Sequence, residues 1–140
     1  MKIKSVDAKP ILDSRGEKTI SIIIETNLGE FSASSPTGKS TGKFETKTYK
    51  INLEEDIKSL KKLKDYFCDD SIDKFSDLRR IEDIVEGHVG ANTTFALESA
   101  VLKAVAKEQQ KEIWELIIDK PHDFSNELKK LNFPRLVGNC

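Results

Sequence analysis

No stretch of the 140 residues approaches the roughly 20 consecutive apolar residues that cross a bilayer, and the opening Met-Lys-Ile-Lys-Ser-Val has no apolar core of a secretion signal. A soluble, cytoplasmic protein with no membrane partner is the expectation. Cysteine is scarce: Cys68 and Cys140 lie far apart, match no metal spacing, and read as free thiols of a reducing compartment. The two histidines, His88 and His122, have no close His or Cys companion, which argues against a histidine-based metal centre. An excess of one charge is missing as well. The 23 Lys plus Arg face 24 Asp plus Glu, for a formal net charge of −1, so composition does not favour nucleic acid as a partner. With no internal repeat, low-complexity tract or Gly/Ser linker, the length suits one domain around one core.

What is present divides into two halves of different period. Ile3 to Lys9, Thr19 to Thr26 and Glu30 to Ser34 read as strands, the second rich in β-branched residues and followed by an Asn27-Leu28-Gly29 turn signal. Asp13, Ser14 and Gly16 mark the loop between the first two. From Leu53 the period becomes helical. Leu53, Ile57, Leu60, Leu63 and Phe67 form one stripe, predicting a helix over 53–67 with Asn52 as its N-cap. Phe75, Leu78, Ile81, Ile84 and Val85 predict a second helix, stopped by Gly87, with Arg79, Arg80, Glu82 and Asp83 on its solvated face. Ala91 to Gln110 is the most apolar helix, expected at the buried centre and capped by Asn92 or Thr93. A short helix around 112–118 and a further turn over 125–131 complete the pattern. Three strands followed by helices predict an α+β fold: a three-stranded antiparallel meander with a helical set on one face.

The segment Ala33 to Ser40, Ala-Ser-Ser-Pro-Thr-Gly-Lys-Ser, meets the loose pattern of a phosphate-binding loop. Such a loop needs a parallel strand before it and a helix starting at the Gly-Lys-Ser, because the helix N-terminus supplies the free N–H groups. After Ser40 the sequence continues with an early Gly42 and several β-branched residues, with no apolar helical period. A downstream Asp at the end of an apolar strand is also missing, since Leu116 to Asp119 looks helical. The nucleotide reading is therefore disfavoured against a plain surface turn.

Several collinear segments instead resemble one family, the N-terminal domain of enolase, or phosphopyruvate hydratase. Ile11 to Thr19 (ILDSRGEKT) is similar to the family's ILDSRGNPT, and Ser35 to Glu45 (SPTGKSTGKFE) to its VPSGASTG loop with a following acidic residue. Val89 to Ala106 (VGANTTFALESAVLKAVA) resembles LGANAILGVSLAVAKA, and LNFPRLVG near the end resembles the Leu-x-x-Pro passage into a second domain. The resemblance implies a capping domain over residues 1–131 and, over 132–140, the start of a connection to a (β/α) barrel. It implies a lid loop, Gly38, Lys39, Ser40, Thr41 and Gly42, that closes over a phosphorylated small-molecule substrate, with Ser40 as a Mg²⁺ ligand and the glycines as hinges. The implied reaction is the Mg²⁺-dependent interconversion of 2-phosphoglycerate and phosphoenolpyruvate in glycolysis. The catalytic residues belong to the barrel, so this chain by itself is expected to be inactive. Its partner is its own barrel or a separate barrel chain, and a homodimer of the full protein is possible. The alternative is a free-standing, non-catalytic enolase-like interaction module.

The chain departs from the family at several places. Lys39 stands where the family usually has Ala, as a phosphate contact, a solvated side chain or a mark of a different anionic substrate. Glu17-Lys18 replaces Asn-Pro, and Ser21 replaces a Glu that in many enolases pairs with the partner subunit. Glu98 falls inside the apolar sector of its helix, so it is expected to be paired, protonated, at an exposed edge or facing another domain. Arg15 is expected to clamp its own loop through Asp13 or backbone carbonyls, or to touch the barrel.

Overall fold

The computed structural model describes residues 1–38, 42–68 and 71–118. Three strands, β1 (Ile3–Leu12), β2 (Lys18–Thr26) and β3 (Gly29–Ser34), form an antiparallel sheet in the order β1-β2-β3. The register pairs Val6 with Ile24 and Ala8 with Ile22 on one side, and Ile24 with Phe31 and Ile22 with Ala33 on the other. Because side chains alternate along a strand, Val6, Ala8, Ile20, Ile22, Ile24 and Ala33 all project to one buried face. β1 runs three residues beyond the expected Lys9 and takes in Pro10. An edge strand tolerates that proline, since one row of its backbone groups needs no partner.

The helices cover this face. They are α1 (Leu53–Leu63), α2 (Leu78–Val85), α3 (Ala91–Gln109) and α4 (Ile113–Ile117); α1 packs on β1, and α3 on β2 and β3. Asn52 caps α1 as expected, its side-chain oxygen accepting from the Glu55 N–H at 2.8 Å. The last turn of the expected 53–67 helix tightens into a 3₁₀ turn over Lys64–Phe67, which keeps Phe67 buried. The expected start of the second helix is likewise a 3₁₀ turn, Phe75–Asp77, held by the Asp77 carboxylate accepting from the Asp73 and Lys74 N–H groups at 3.0 Å each. Gly87, at φ +74°, follows the end of α2.

The small residues of α3 let it lie close on the sheet, and Ala96, Leu97, Ala100, Val101 and Ala104 are wholly inaccessible. Its N-cap is Gly90, not Asn92 or Thr93. Both of those residues sit inside the first turn, where tertiary partners hold their side chains. The expected turn over 125–131 lies outside the described residues, as does Cys140; Cys68 is a free, exposed thiol.

Among the described residues, one charged side chain is completely buried. Asp56, on the inner side of α1, accepts hydrogen bonds from the Lys50 N–H at 3.0 Å, the Gly90 N–H at 2.8 Å and the Thr93 hydroxyl at 2.6 Å. A buried carboxylate is tolerable only with such partners. It joins the chain before α1 to the start of α3, across 34 residues of sequence from Gly90. At the same junction the Ala91 and Asn92 N–H groups donate to the Lys47 and Thr48 carbonyls at 2.9 and 3.0 Å, so two orphan donors of the helix start are satisfied. Gly90 is forced by this approach: a Cβ there would stand 2.3 Å from the Tyr49 Cα and 2.5 Å from the Thr48 carbonyl oxygen.

Asp56→Ala strands the buried Gly90 N–H, the part-buried Lys50 N–H and the buried Thr93 hydroxyl, and is expected to cost about 3 kcal/mol in urea unfolding, with Asp56→Asn retaining part of the loss. Gly90→Ala is expected to destabilise by about 2 kcal/mol through backbone displacement. A loss below about 0.5 kcal/mol for either, the range of ordinary surface changes, would contradict this description of the junction.

Candidate functional site

The described residues flanking the Gly38–Gly42 loop show how it is mounted; Lys39, Ser40 and Thr41 themselves lie outside the described residues. The chain leaves β3 at Ser34, and three successive carbonyls of the leading stem are then each taken by a different part of the molecule. The Ser35 carbonyl accepts from the Thr19 hydroxyl of β2 at 2.7 Å, and that of Pro36 from the Asn92 side-chain amide of α3 at 3.2 Å. The Thr37 carbonyl accepts from Arg15 Nη2, in the β1–β2 loop, at 2.7 Å. The Ser35 N–H adds a bond to the Ile20 carbonyl at 3.2 Å. Ser35 and Thr19 are both buried, so the bond between them is shielded from competing water, while the Asn92–Pro36 and Arg15–Thr37 bonds are exposed.

The returning stem is fixed at the same place. Lys47 and Thr48 meet the first turn of α3, and Lys50 meets Asp56. Asn92 therefore serves both stems: its backbone N–H holds Thr48 and its side chain holds Pro36. Between the stems, Gly38 and the run from Gly42 to Lys47 are exposed.

Arg15 is positioned by its own tight loop. Asp13 Oδ1 accepts from the Arg15 and Glu17 N–H groups at 2.8 and 2.9 Å, and Gly16 adopts φ +76° to close the turn. The Glu17 N–H, helped by that of Arg15 and by the guanidinium, holds the Asp13 carboxyl below its ordinary range despite an opposing desolvation. Arg15 Nη2 lies 3.2 Å from Glu17 and 3.8 Å from Asp13, so the expected clamp through Asp13 is present with Glu17 as a further partner, whereas the carbonyl it reaches is that of Thr37 in the neighbouring stem and not one of its own loop. This loop and the leading stem line a cleft of about 440 Å³ that includes Leu12, Asp13, Arg15, Ser35, Pro36 and Thr37.

The surroundings rule against a nucleotide loop. The strand that leads in is antiparallel to its neighbour, and the first helix after it starts at Leu53. Among the described residues, no three His, Cys, Asp or Glu side chains gather where they could hold a metal ion. Glu98 is half-buried in α3, and burial together with the neighbouring Glu82 carboxyl of α2 pushes its carboxyl up to about 7.

Sequence reasoning missed Asp56 and the double role of Asn92. Asp56 lies three residues after Leu53 and four before Leu60, on the buried stripe, and that placement of a carboxylate was the available signal. Nothing in the sequence marked Thr19 as a stem anchor, because its partner is a backbone carbonyl. Removing only the side-chain amide, as in Asn92→Ala, is expected to speed hydrogen exchange at the Ser35 amide about fivefold, equivalent to roughly 1 kcal/mol, while strand β2 keeps its protection. An unchanged Ser35 rate would show that the Asn92–Pro36 bond contributes nothing to the stem.

A family model described as "Enolase, N-terminal domain" matches residues 3–117. Among curated relatives, Enolase B of Dictyostelium discoideum is 50% identical over 42 residues, which is 30% of this chain and 10% of that protein. The matched stretch is thus a small part of a much longer relative. The α+β architecture, a three-stranded antiparallel sheet followed by helices, agrees with that family model, which spans every described element from β1 to α4. This chain belongs to the enolase N-terminal domain family.

Proposed function

We propose that the chain is the capping domain, residues 1–131, of an enolase-type lyase, joined through 132–140 to a (β/α) barrel or paired with a barrel on a separate chain. Its task in that reading is to present the Gly38–Gly42 loop as a lid over a phosphorylated substrate, for the interconversion of 2-phosphoglycerate and phosphoenolpyruvate in the cytoplasm. The observation that carries it is the mounting of the loop. Both stems are tied to α3 at Asn92, while Gly38 and Gly42 to Lys47 are exposed to whatever lies above. A lid needs firm ends and a free middle.

Exposed apolar side chains beside the loop support a covering partner. Phe44 is 94% accessible, Ile51 77% and Leu12 66%, values that ordinary single surface residues seldom share across one region. Magnesium fits the donor chemistry of this chain only in part. Ser40 offers a hard oxygen on the lid, and the carboxylates that complete a six-oxygen shell belong to the barrel in this reading. Such an ion would supply positive charge against the negative charge that builds up on the substrate. In this reading the described residues of this chain hold the lid's ends and help to exclude water.

Three outcomes test the proposal. The 1–140 fragment is expected to show no Mg²⁺-dependent dehydration of 2-phosphoglycerate; turnover by the pure fragment would overturn the assignment of chemistry to the barrel. In the barrel-containing protein, Ser40→Ala is expected to lower kcat by about 100-fold and to raise the Mg²⁺ concentration needed for half-maximal rate. Unaltered activity and metal dependence would remove Ser40 from the site. Arg15→Gln, which loses the Thr37 carbonyl contact, is expected to lower kcat/KM about tenfold with little change in melting temperature.

A further inference from the structure

On the side of α3 away from the sheet, α2, α3 and the 3₁₀ turn before α2 enclose a cleft of about 300 Å³. Its walls include Phe75, Leu78, Phe95 and Leu102, and its charged lining is Arg79, Glu82 and Glu98. Glu82 comes from α2 and Glu98 from α3, so two carboxyl groups on different helices line the same largely apolar cleft. The Arg79 guanidinium does not settle the pair. It is turned along its own helix, 3.4 Å from Glu82 and 3.7 Å from Asp83, and it is largely exposed. The turn Phe75–Asp77 contributes Phe75 and Ser76 to the cleft, and α3 contributes Ser99; none of these carries charge.

Two facing carboxyl groups attract only when one of them holds a proton. The protonated oxygen then donates to the other group, a charge-assisted bond that ties the two helices together. Without the proton they are like charges across a low-dielectric gap, and they repel. We propose that Glu82 and Glu98 form a proton-operated latch between α2 and α3: closed while they share one proton, loosened when it leaves. The cleft is already large enough to admit water once the contact parts. Burial, the hydrogen bond to Glu82 and the charge of Glu82, in that order, push the Glu98 carboxyl up to about 7, which places the change near neutral pH.

The direction follows from proton linkage. With the latch closed Glu98 holds its proton more tightly than in an open or unfolded chain, whose carboxyl titrates near 4.5. The closed state is therefore favoured most at low pH. Its advantage falls as pH rises from about 4.5 to about 7 and is gone above that. Because Glu98 is only half-buried, solvent screening moderates the effect, and a change of about tenfold in the opening equilibrium is expected rather than the several hundredfold of a sealed site.

The test is hydrogen exchange at the α2 amides, corrected for the intrinsic pH dependence of exchange, together with carbon-detected titration of the two carboxyl groups in the whole protein. The wild type is expected to show the opening equilibrium rising about tenfold between pH 5 and pH 8, with the Glu98 signal titrating near neutrality. Glu98→Gln and Glu82→Gln should each flatten that rise while leaving the exchange of β2 unchanged. An ordinary carboxylate titration of Glu98, or a pH dependence that persists in both variants, would overturn the latch.

Discussion

The buried carboxylate of Asp56 is the contact on which the arrangement of the stems flanking the Gly38–Gly42 loop depends. A carboxylate away from water must find donors, and this one finds three, from the segment before α1 and from the start of α3. Meeting that requirement brings Gly90 onto the Thr48–Tyr49 backbone with no room for a side chain. The close approach then lets the first N–H groups of α3 pair with Lys47 and Thr48, and it sets Asn92 where its amide reaches Pro36. A requirement of solvation in the core thus becomes a geometric constraint on a surface loop.

The stems are held by backbone carbonyls rather than by side-chain pairs. Thr19, Asn92 and Arg15 each take one carbonyl from Ser35, Pro36 and Thr37 in turn. Such a mounting constrains the path of the chain but places few demands on the side chains of the loop between the stems. The same logic explains why Arg15 sits in so tight a turn. Its guanidinium must reach across to the neighbouring loop, and Asp13 and the left-handed Gly16 fix the direction from which it does so.

The meander was legible in the sequence because one face of a three-stranded sheet is buried, and the alternation of Ile20, Ile22 and Ile24 records that directly. α3 was legible for a related reason, its run of Ala, Val and Leu. Helix ends were read less well. Asn92 and Thr93 are good N-cap types, but here tertiary contacts claim both side chains and a glycine takes the cap, a choice governed by the approach of another backbone. Asp56 was hidden among the Lys and Glu of an amphipathic helix, where a carboxylate looks solvated unless its place on the stripe is weighed. Glu98 was conspicuous, yet its partner was not legible, since a second carboxylate is the neighbour that simple charge pairing would never nominate.

The central claim is that Asp56 and Asn92 serve one junction, not two separate ones. A double-mutant cycle on Asp56→Ala and Asn92→Ala, followed by urea unfolding, tests it most directly. The account predicts that the double variant loses less than the sum of the single losses by about 1 kcal/mol, because the first substitution already frees the start of α3 from the stems. Losses that add to within about 0.3 kcal/mol would contradict it and would separate the buried carboxylate from the mounting of the Gly38–Gly42 loop.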